Sequence, residues 1–260
     1  MFAKSGNSIW NVDGAIEMAR NLVSSPQLSL PINICELASA LGVARVEAAD
    51  MSIDGYLGRG SDGRLLIRYK TTSPMTRNRF TIAHELGHIL LYRASSCEIP
   101  ECATRARNRC TDEELAANRV ASELLMPCDA VRTRLAYSRL SWERIRELSR
   151  EFDVSITAFS RRIIEVTKRP TVMFWATVSD KDPSIVRSCR CSVSMAHQIL
   201  FSQPPTLEAQ HLIDSLEGGE VYHPRAFIDA DECLLQWDAM KVEKFNRAQH
   251  WFLCWELTRR

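Results

Sequence analysis

The segment from Arg79 to Leu91 constrains the fold of this chain more than any other. It reads Arg-Phe-Thr-Ile-Ala-His-Glu-Leu-Gly-His-Ile-Leu-Leu, and its apolar residues would bury a helix on almost every side. His84 and His88 are four residues apart, so on a helix they lie one above the other on the same face. Buried imidazoles need polar partners, and this spacing indicates a metal ion shared by both. Glu85 would then flank that ion without binding it.

A third ligand is expected because catalytic zinc sites generally use three protein side chains and leave the fourth position for water. No third histidine follows His88 at the spacing of the extended motif, and the four other histidines lie in the last ninety residues. A carboxylate from the next predicted helix is the better candidate. Glu114 and Asn118 are four residues apart there, so Glu114 could bind the ion while Asn118 orients a ligand.

The same residues allow a purely structural interpretation. Thr111-x-x-Glu114 is also a capping box, in which the Glu114 carboxylate would only close the start of the helix. In that case Glu113 or Glu123 could supply the third ligand. Gly87, within the motif helix, commonly marks close packing, because glycine in a helix interior otherwise costs about 0.5–1 kcal/mol relative to alanine.

Periodicity along the rest of the chain predicts an α+β fold that is mainly helical. Helices are expected at about 11–24, 33–41, 78–93, 112–126, 128–137, 141–151 and 156–166. Alternating segments at 44–51, 53–57 and 65–69 predict a small antiparallel sheet formed as a meander. Further strands are expected at 171–178, 185–193, 221–228 and 250–257. We therefore predict three domains: a catalytic domain at 1–137, a helix-turn-helix-like subdomain at 138–169, and a β-containing domain at 170–260.

Composition excludes several classes of protein. The net charge is +1, from 33 basic and 32 acidic residues, so no overall field attracts nucleic acid. No run approaches the roughly 18 apolar residues of a membrane span, and the first residues lack the pattern of a secretory signal, so a cytoplasmic protein without a membrane partner is expected. The odd number of cysteines, nine, favours reduced thiols. Cys97, Cys102 and Cys110 have no usual zinc spacing, which favours incidental thiols over a second metal site.

Two longer motifs make the sequence recognisable. Arg-Phe-Thr-Ile-Ala-His-Glu-Leu-Gly-His at 79–88 and Glu-x-x-x-Asn-x-x-Ala-x-Glu-Leu-Leu-Met-Pro at 114–127 resemble the ImmA/IrrE family of metallopeptidases, over roughly residues 10–165. The resemblance implies a zincin-like catalytic domain in which His84, His88 and Glu114 bind Zn²⁺, with Mn²⁺ as an alternative in vivo. It also implies that Glu85 is the catalytic base. One departure is Tyr92, which stands where members often have another histidine.

The resemblance further implies a substrate and a biological setting. Members cleave helix-turn-helix transcriptional repressors, which releases genes of stress responses, DNA-damage responses or mobile elements, and some carry a C-terminal sensor-like domain. Residues 170–260 would occupy that place with an unknown, sensory or regulatory, role. The rival from another class is a non-cleaving regulator that binds DNA or a repressor and uses zinc only to join helices. The basic segment 132–169 supports it weakly, because its turn lacks glycine and arginines along amphipathic helices usually form a solvated face.

Overall fold

A computed structural model describes residues 9–24, 29–100, 111–136 and 140–169, together with the backbone of four strands further along the chain. The chain divides into two compact units. The first unit comprises residues 1–128 and 149–155, and the second comprises 129–148 and 156–260. None of the helices in the described ranges is long and apolar enough to cross a membrane. Secondary structure confirms the α+β class, with helices predominating in the part that precedes residue 170.

Two short helices open the first unit, and an asparagine caps each of them. Helix α1 spans Val12–Val23 and α2 spans Ile34–Ala40. The Asn11 side chain accepts a hydrogen bond from the backbone amide of Gly14, and that of Asn33 accepts from the amides of Cys35 and Glu36. These bonds satisfy amide groups that a helix start leaves without intrahelical partners. Both helices occur where the sequence predicts them.

A three-stranded sheet follows, and its topology differs from the predicted one. Strands β1 (Val43–Ala49), β2 (Gly55–Arg59) and β3 (Leu65–Lys70) are ordered β1-β3-β2. The β2–β3 pair is an antiparallel hairpin, but β1 runs parallel to β3. The predicted antiparallel meander is therefore wrong. The predicted strand positions are close to the observed ones, but they do not indicate which strand is central. The central strand is β3, whose apolar residues 65–67 are all buried and whose two edges are both paired.

Helices α3 (Met75–Ala94) and α4 (Thr111–Leu125) pack directly on each other and form the centre of the first unit. α3 is buried from Thr81 to Ala83 and from Glu85 to Leu91, as the apolar surroundings of its motif predict. α1 packs against both helices, and the sheet packs against α3. The prediction for α3 began at Asn78, but the helix starts three residues earlier, with Pro74 at its cap and accepting from the amides of Arg77 and Asn78.

Arg79 connects α3 to two other segments of the first unit. Its Nε lies 3.0 Å from Asp153 Oδ2 and donates to the Asp153 carbonyl oxygen at 3.2 Å. Its Nη2 donates to the carbonyl oxygen of Ile32 at 3.0 Å. Asp153 has a φ of 50°, a left-handed conformation that is uncommon outside glycine, asparagine and aspartate. The guanidinium, 13% exposed, thus fixes an irregular turn against the first turns of α3.

Helices α5 (Cys128–Leu135), α6 (Trp142–Glu151) and α7 (Ile156–Val166) match their predicted positions closely. Within the second unit, several arginine side chains cap the carboxyl ends of helices instead of extending into solvent. Arg132 Nε donates to the Val166 carbonyl at 2.8 Å, Arg144 Nη2 to the Arg134 carbonyl at 3.0 Å, and Arg169 Nη2 to the Leu135 carbonyl at 2.7 Å. Such bonds satisfy carbonyl groups that a helix end leaves unpaired.

Four more strands belong to the second unit: β4 (Thr171–Val178), β5 (Val186–Val193), β6 (Cys233–Phe245) and β7 (Ala248–Arg259). They pair antiparallel in the order β5-β4-β7-β6. The predicted strands at 171–178, 185–193 and 250–257 coincide with three of them, whereas the one predicted at 221–228 lies outside the described residues. A separate C-terminal domain, and the boundaries proposed for all three domains, stay predictions.

Candidate metal centre

Helix α3 brings the two motif histidines together at one turn's separation. Their ring centroids lie 4.7 Å apart and the rings are nearly perpendicular, at 85°. The two Nε2 atoms, 3.1 Å apart, approach the same point. His88 is fully buried, while 14% of the His84 side chain is exposed. The pair therefore opens towards solvent on the His84 side only.

Glu114 extends its carboxylate from α4 to this point. Its Oε2 lies 3.1 Å from His84 Nε2, and its Oε1 lies 3.5 Å from His88 Nε2. The side chain remains 33% exposed. A ligand atom from each of the three residues lies within 4.8 Å of the others, and among the described residues they are the group with donors suited to a metal ion. The carboxylate thus contacts the histidines, which does not favour the capping-box interpretation.

The spacing of these atoms is close to that of ligands around one metal ion. Ligand atoms about 2.0–2.2 Å from a tetrahedral zinc ion lie about 3.4 Å from one another. The two Nε2 atoms are 3.1 Å apart, and each lies close to one oxygen of Glu114, His84 Nε2 at 3.1 Å from Oε2 and His88 Nε2 at 3.5 Å from Oε1, so the separations are near that value. Two imidazoles and one carboxylate are also a donor set that zinc uses in catalytic sites. The residues present therefore fit a divalent cation.

Asn118 contacts the outer nitrogen of His84. Its Oδ1 lies 3.0 Å from His84 Nδ1. An amide oxygen can only accept, so Nδ1 carries the proton in this arrangement and Nε2 presents its lone pair to the centre. This is the contact expected of a residue that orients a metal-binding imidazole.

Glu113 contacts His88 at Nδ1, the ring nitrogen that does not face Glu114. Its Oε1 lies 3.0 Å from His88 Nδ1 and accepts a hydrogen bond from the Tyr92 hydroxyl at 3.1 Å. Trp10 packs edge-on against the Tyr92 ring at a centroid distance of 5.2 Å. Sequence reasoning considered Glu113 only as an alternative ligand and missed this contact. The pattern that could have indicated it is His88 and Tyr92 at a spacing of four, on one face of α3.

Glu123, the other alternative ligand, lies in a different environment. It is buried and accepts hydrogen bonds from the backbone amide of Cys128 at 3.0 Å and from Arg20 Nε at 3.3 Å. These contacts join the end of α4 to the chain that follows and to α1. Its role in the described structure is therefore to connect helices.

Glu85 is directed towards strand β2. It is 2% exposed, and a β-carbon built on Gly55 would lie 2.6 Å from its Oε1 and 2.5 Å from the Thr81 methyl carbon. Since real β-carbons do not approach so closely, a residue larger than glycine cannot stand at position 55 without displacing Glu85 or Thr81. The backbone of β2 thus forms a wall of the space in which the Glu85 carboxylate lies.

Two polar residues that follow the motif, Tyr92 and Arg93, are candidates for stabilising a negative charge that develops on a substrate. The Tyr92 hydroxyl is directed to Glu113, and Arg93 Nη2 donates to the Leu41 carbonyl at 2.8 Å. Both side chains therefore make structural contacts. The oxyanion-stabilising group stays unassigned.

The two motif histidines and the glutamate from the next helix form a His₂Glu cluster that could hold a metal ion, a donor set known from zinc peptidases. Residues 38–163 match the IrrE N-terminal-like domain, Peptidase_M78. This match confirms the resemblance to the ImmA/IrrE family of metallopeptidases inferred from the two motifs.

Comparison with solved structures adds to the description of the fold. A Mycobacterium tuberculosis transcriptional regulator is similar with a TM-score of 0.56, over 94% of this chain and 86% of that one. At 15% sequence identity the similarity concerns the fold alone. No curated protein matches the sequence at a significant level.

Proposed function

We propose that this protein is a zinc-dependent endopeptidase that cleaves a helix-turn-helix transcriptional repressor. The observation that carries the proposal is the convergence of His84 Nε2, His88 Nε2 and a Glu114 oxygen. The outer imidazole nitrogens lie 3.0 Å from oxygen atoms of Asn118 and Glu113, so when each Nδ1 carries the ring proton, three lone-pair donors meet at one place. Such an arrangement is unfavourable unless a cation lies there. The family match supports the peptidase class independently.

His84, His88 and Glu114 would hold the ion, and Asn118 would fix the orientation of His84. A bound zinc ion supplies two effects: it lowers the pKa of water from about 15.7 towards 7, and it polarises a carbonyl group. Imidazole and carboxylate donors suit zinc, and Mn²⁺ is the alternative ion for the same ligands.

Glu85 follows His84 directly on α3 and would act as the general base. Its carboxylate would accept a proton from the attacking water and pass it to the amine that leaves when the peptide bond breaks. General acid–base assistance of this kind contributes about 10²–10⁴-fold to a rate. The absence of a side chain at Gly55 leaves the space that the carboxylate occupies, because a β-carbon there would collide with Glu85 Oε1.

The substrate class rests on the ImmA/IrrE resemblance, in which repressors are cut and their genes released during stress, DNA damage or induction of mobile elements. The similar fold of a transcriptional regulator is compatible with a role in gene regulation. We propose that the reaction takes place in the cytoplasm, where such a repressor would be found.

The rival function is a regulator that binds DNA or a repressor without cutting it. It would rely on the basic segment 132–169 to contact phosphates. Arg132, Arg144 and Arg169 instead donate to backbone carbonyls in the structure, so fewer of the basic groups are directed outwards than the sequence suggests. This observation favours the peptidase.

The test uses the full chain with helix-turn-helix repressors encoded near its gene, with zinc or with a chelator. Intact-mass spectrometry should show two fragments of one repressor in zinc and none in chelator. Glu85→Gln should bind zinc as the original chain does and lose cleavage, whereas the exposed Glu17→Gln, with the same change of charge, should retain both. Equal behaviour of Glu85→Gln and the original chain, together with salt-dependent binding to duplex DNA, would support the rival instead.

A further inference from the structure

One feature of the centre is not used by the reaction as proposed: the buried contact of Glu113 with His88 and Tyr92. The Glu113 side chain is 10% exposed, and His88 is fully buried. Two groups from α3 reach the same carboxylate oxygen, His88 Nδ1 at 3.0 Å and the Tyr92 hydroxyl at 3.1 Å. An acidic side chain is seldom buried unless its partners compensate for lost hydration, so this contact needs a reason.

The chemistry of the three groups fixes where the imidazole proton lies. A carboxylate oxygen accepts hydrogen bonds and a tyrosine hydroxyl can donate one. If His88 carried its proton on Nε2, the Nδ1 lone pair would face the Glu113 oxygen inside the protein, and the proton would lie at the metal position. With the proton on Nδ1, the polar N–H group lies beside the Glu113 oxygen at 3.0 Å, an attractive electrostatic contact although it is not aligned as a hydrogen bond, and the Nε2 lone pair is left for a cation.

We infer that Glu113, held in place by Tyr92, is a positioning residue that keeps His88 in the tautomer able to bind metal. This inference rests on the metal centre of the proposed function and extends it to two residues outside the ligand set. The two histidines would then be oriented by different groups: the partly exposed His84 by the neutral amide of Asn118, and the buried His88 by the carboxylate of Glu113.

Tyr92 contributes by restricting the carboxylate. Its hydroxyl occupies a second direction at Oε1, and its ring is fixed in turn by the edge-on contact with Trp10. Loss of the hydroxyl would leave the volume of the side chain unchanged and permit Glu113 to rotate away from His88. The effect of Tyr92 on metal binding should therefore be in the same direction as that of Glu113, and smaller.

Zinc affinity of the full-length protein is the first readout, measured by competition with a chromophoric chelator. Glu113→Ala should weaken binding by about 10–100-fold, the usual effect of losing a group that orients a ligand. Asp112→Ala, which removes the exposed neighbouring carboxylate on the same turn of α4, should leave the affinity unchanged. Glu113→Gln should recover part of the loss, because its amide oxygen can still place a partial negative charge beside Nδ1. Equal affinities for Glu113→Ala and Asp112→Ala would overturn the inference.

A second readout needs no metal. Nitrogen NMR of the metal-free protein distinguishes the two imidazole tautomers, and His88 should be protonated on Nδ1. Tyr92→Phe serves if Glu113→Ala does not fold, and it should give a mixture of tautomers with a several-fold loss of zinc affinity. An unchanged tautomer and affinity in Tyr92→Phe would contradict the positioning role.

The two proposals can fail separately. A protein that binds zinc with the expected dependence on Glu113 but cuts no repressor would retain the inference and remove the proposed peptidase function. A protein that cuts a repressor, while Glu113→Ala binds zinc as tightly as the original chain, would retain the function and remove the inference.

Discussion

Gly87 and Ala117 mark the place where α3 and α4 contact each other backbone to backbone. A β-carbon on Gly87 would lie 2.6 Å from the Ala117 carbonyl oxygen and 3.3 Å from its Cα. These neighbours are main-chain atoms, which cannot rotate away as the end of a side chain can. Gly87 lies within the histidine motif and Ala117 directly precedes Asn118, so the contact limits the distance across which the proposed metal ligands meet.

Gly87→Ala should therefore destabilise the protein, although the same change in an ordinary helix interior is stabilising by about 0.5–1 kcal/mol. The added methyl group must push α4 outwards, and overpacking of this kind costs about 1–3 kcal/mol. Urea unfolding in chelator measures the cost without metal, and zinc affinity should fall as Glu114 moves away from the histidines. An increase in stability would show that the helices are not in contact at this point.

Asn118→Ala should lower zinc affinity by about 10–100-fold, because His84 would lose the group that orients it. Asn118→Asp should retain most of the affinity, since a carboxylate can accept from Nδ1 as well. Arg119→Ala, at the exposed next position, is the matched control and should bind zinc normally. The role of Asn118 is refuted if the alanine variants at 118 and 119 bind zinc alike.

Glu114 and Glu123 should show opposite effects of substitution by alanine. Glu114→Ala removes a proposed ligand and should weaken zinc binding by more than the loss of an orienting group does. Glu123→Ala leaves the buried Cys128 amide without its acceptor, so it should reduce the free energy of unfolding by about 1–3 kcal/mol. Its zinc affinity should stay unchanged. Calorimetry in chelator and zinc titration separate the two effects, and a loss of zinc binding in Glu123→Ala would reinstate it as a ligand.

The contact of Arg79 with Asp153 should appear as a measurable coupling energy. Arg79→Ala also removes the hydrogen bond to Ile32, so we expect it to cost about 1–3 kcal/mol of stability. Asp153 is 38% exposed, which limits the ion pair itself to about 0.5–1 kcal/mol. A double-mutant cycle with Asp153→Ala, followed by urea unfolding, measures that part. Additive effects of the two substitutions would mean that the Asp153 carboxylate contributes nothing and that Arg79 acts through the carbonyl oxygens of Ile32 and Asp153.

Local patterns in the sequence were sufficient for the helices and for much of the centre. Apolar periodicity predicts α3 to α7 to within a few residues, because each helix buries one face and the apolar residues of that face recur in the sequence at helical spacing. The pair of histidines at a spacing of four likewise requires only the geometry of a single helix. Glu114 came from the next helix, so its selection needed the family resemblance, and the structure places its carboxylate beside both imidazoles.

Features that depend on contacts between distant segments could not be derived in this way. The parallel pairing of β1 with β3 depends on which strand becomes central, and a period of two is the same in either arrangement. The contact of Glu113 with His88 depends on how α4 is rotated over α3. The close contact at Gly87 limits that rotation, and glycine has no side chain whose pattern in the sequence could indicate it. The helices predicted at 141–151 and 156–166 leave a break that contains Asp153, but the sequence does not indicate that this turn contacts Arg79.

The contact at Gly87 also affects how the centre would tolerate sequence change. Because main-chain atoms set the separation of the helices, exchanges among the surrounding leucines and isoleucines can vary the packing volume without spreading the ligands apart. The geometry of the proposed cation site would thereby be less sensitive to such exchanges in the core than to a change at Gly87, where a larger residue meets main-chain atoms.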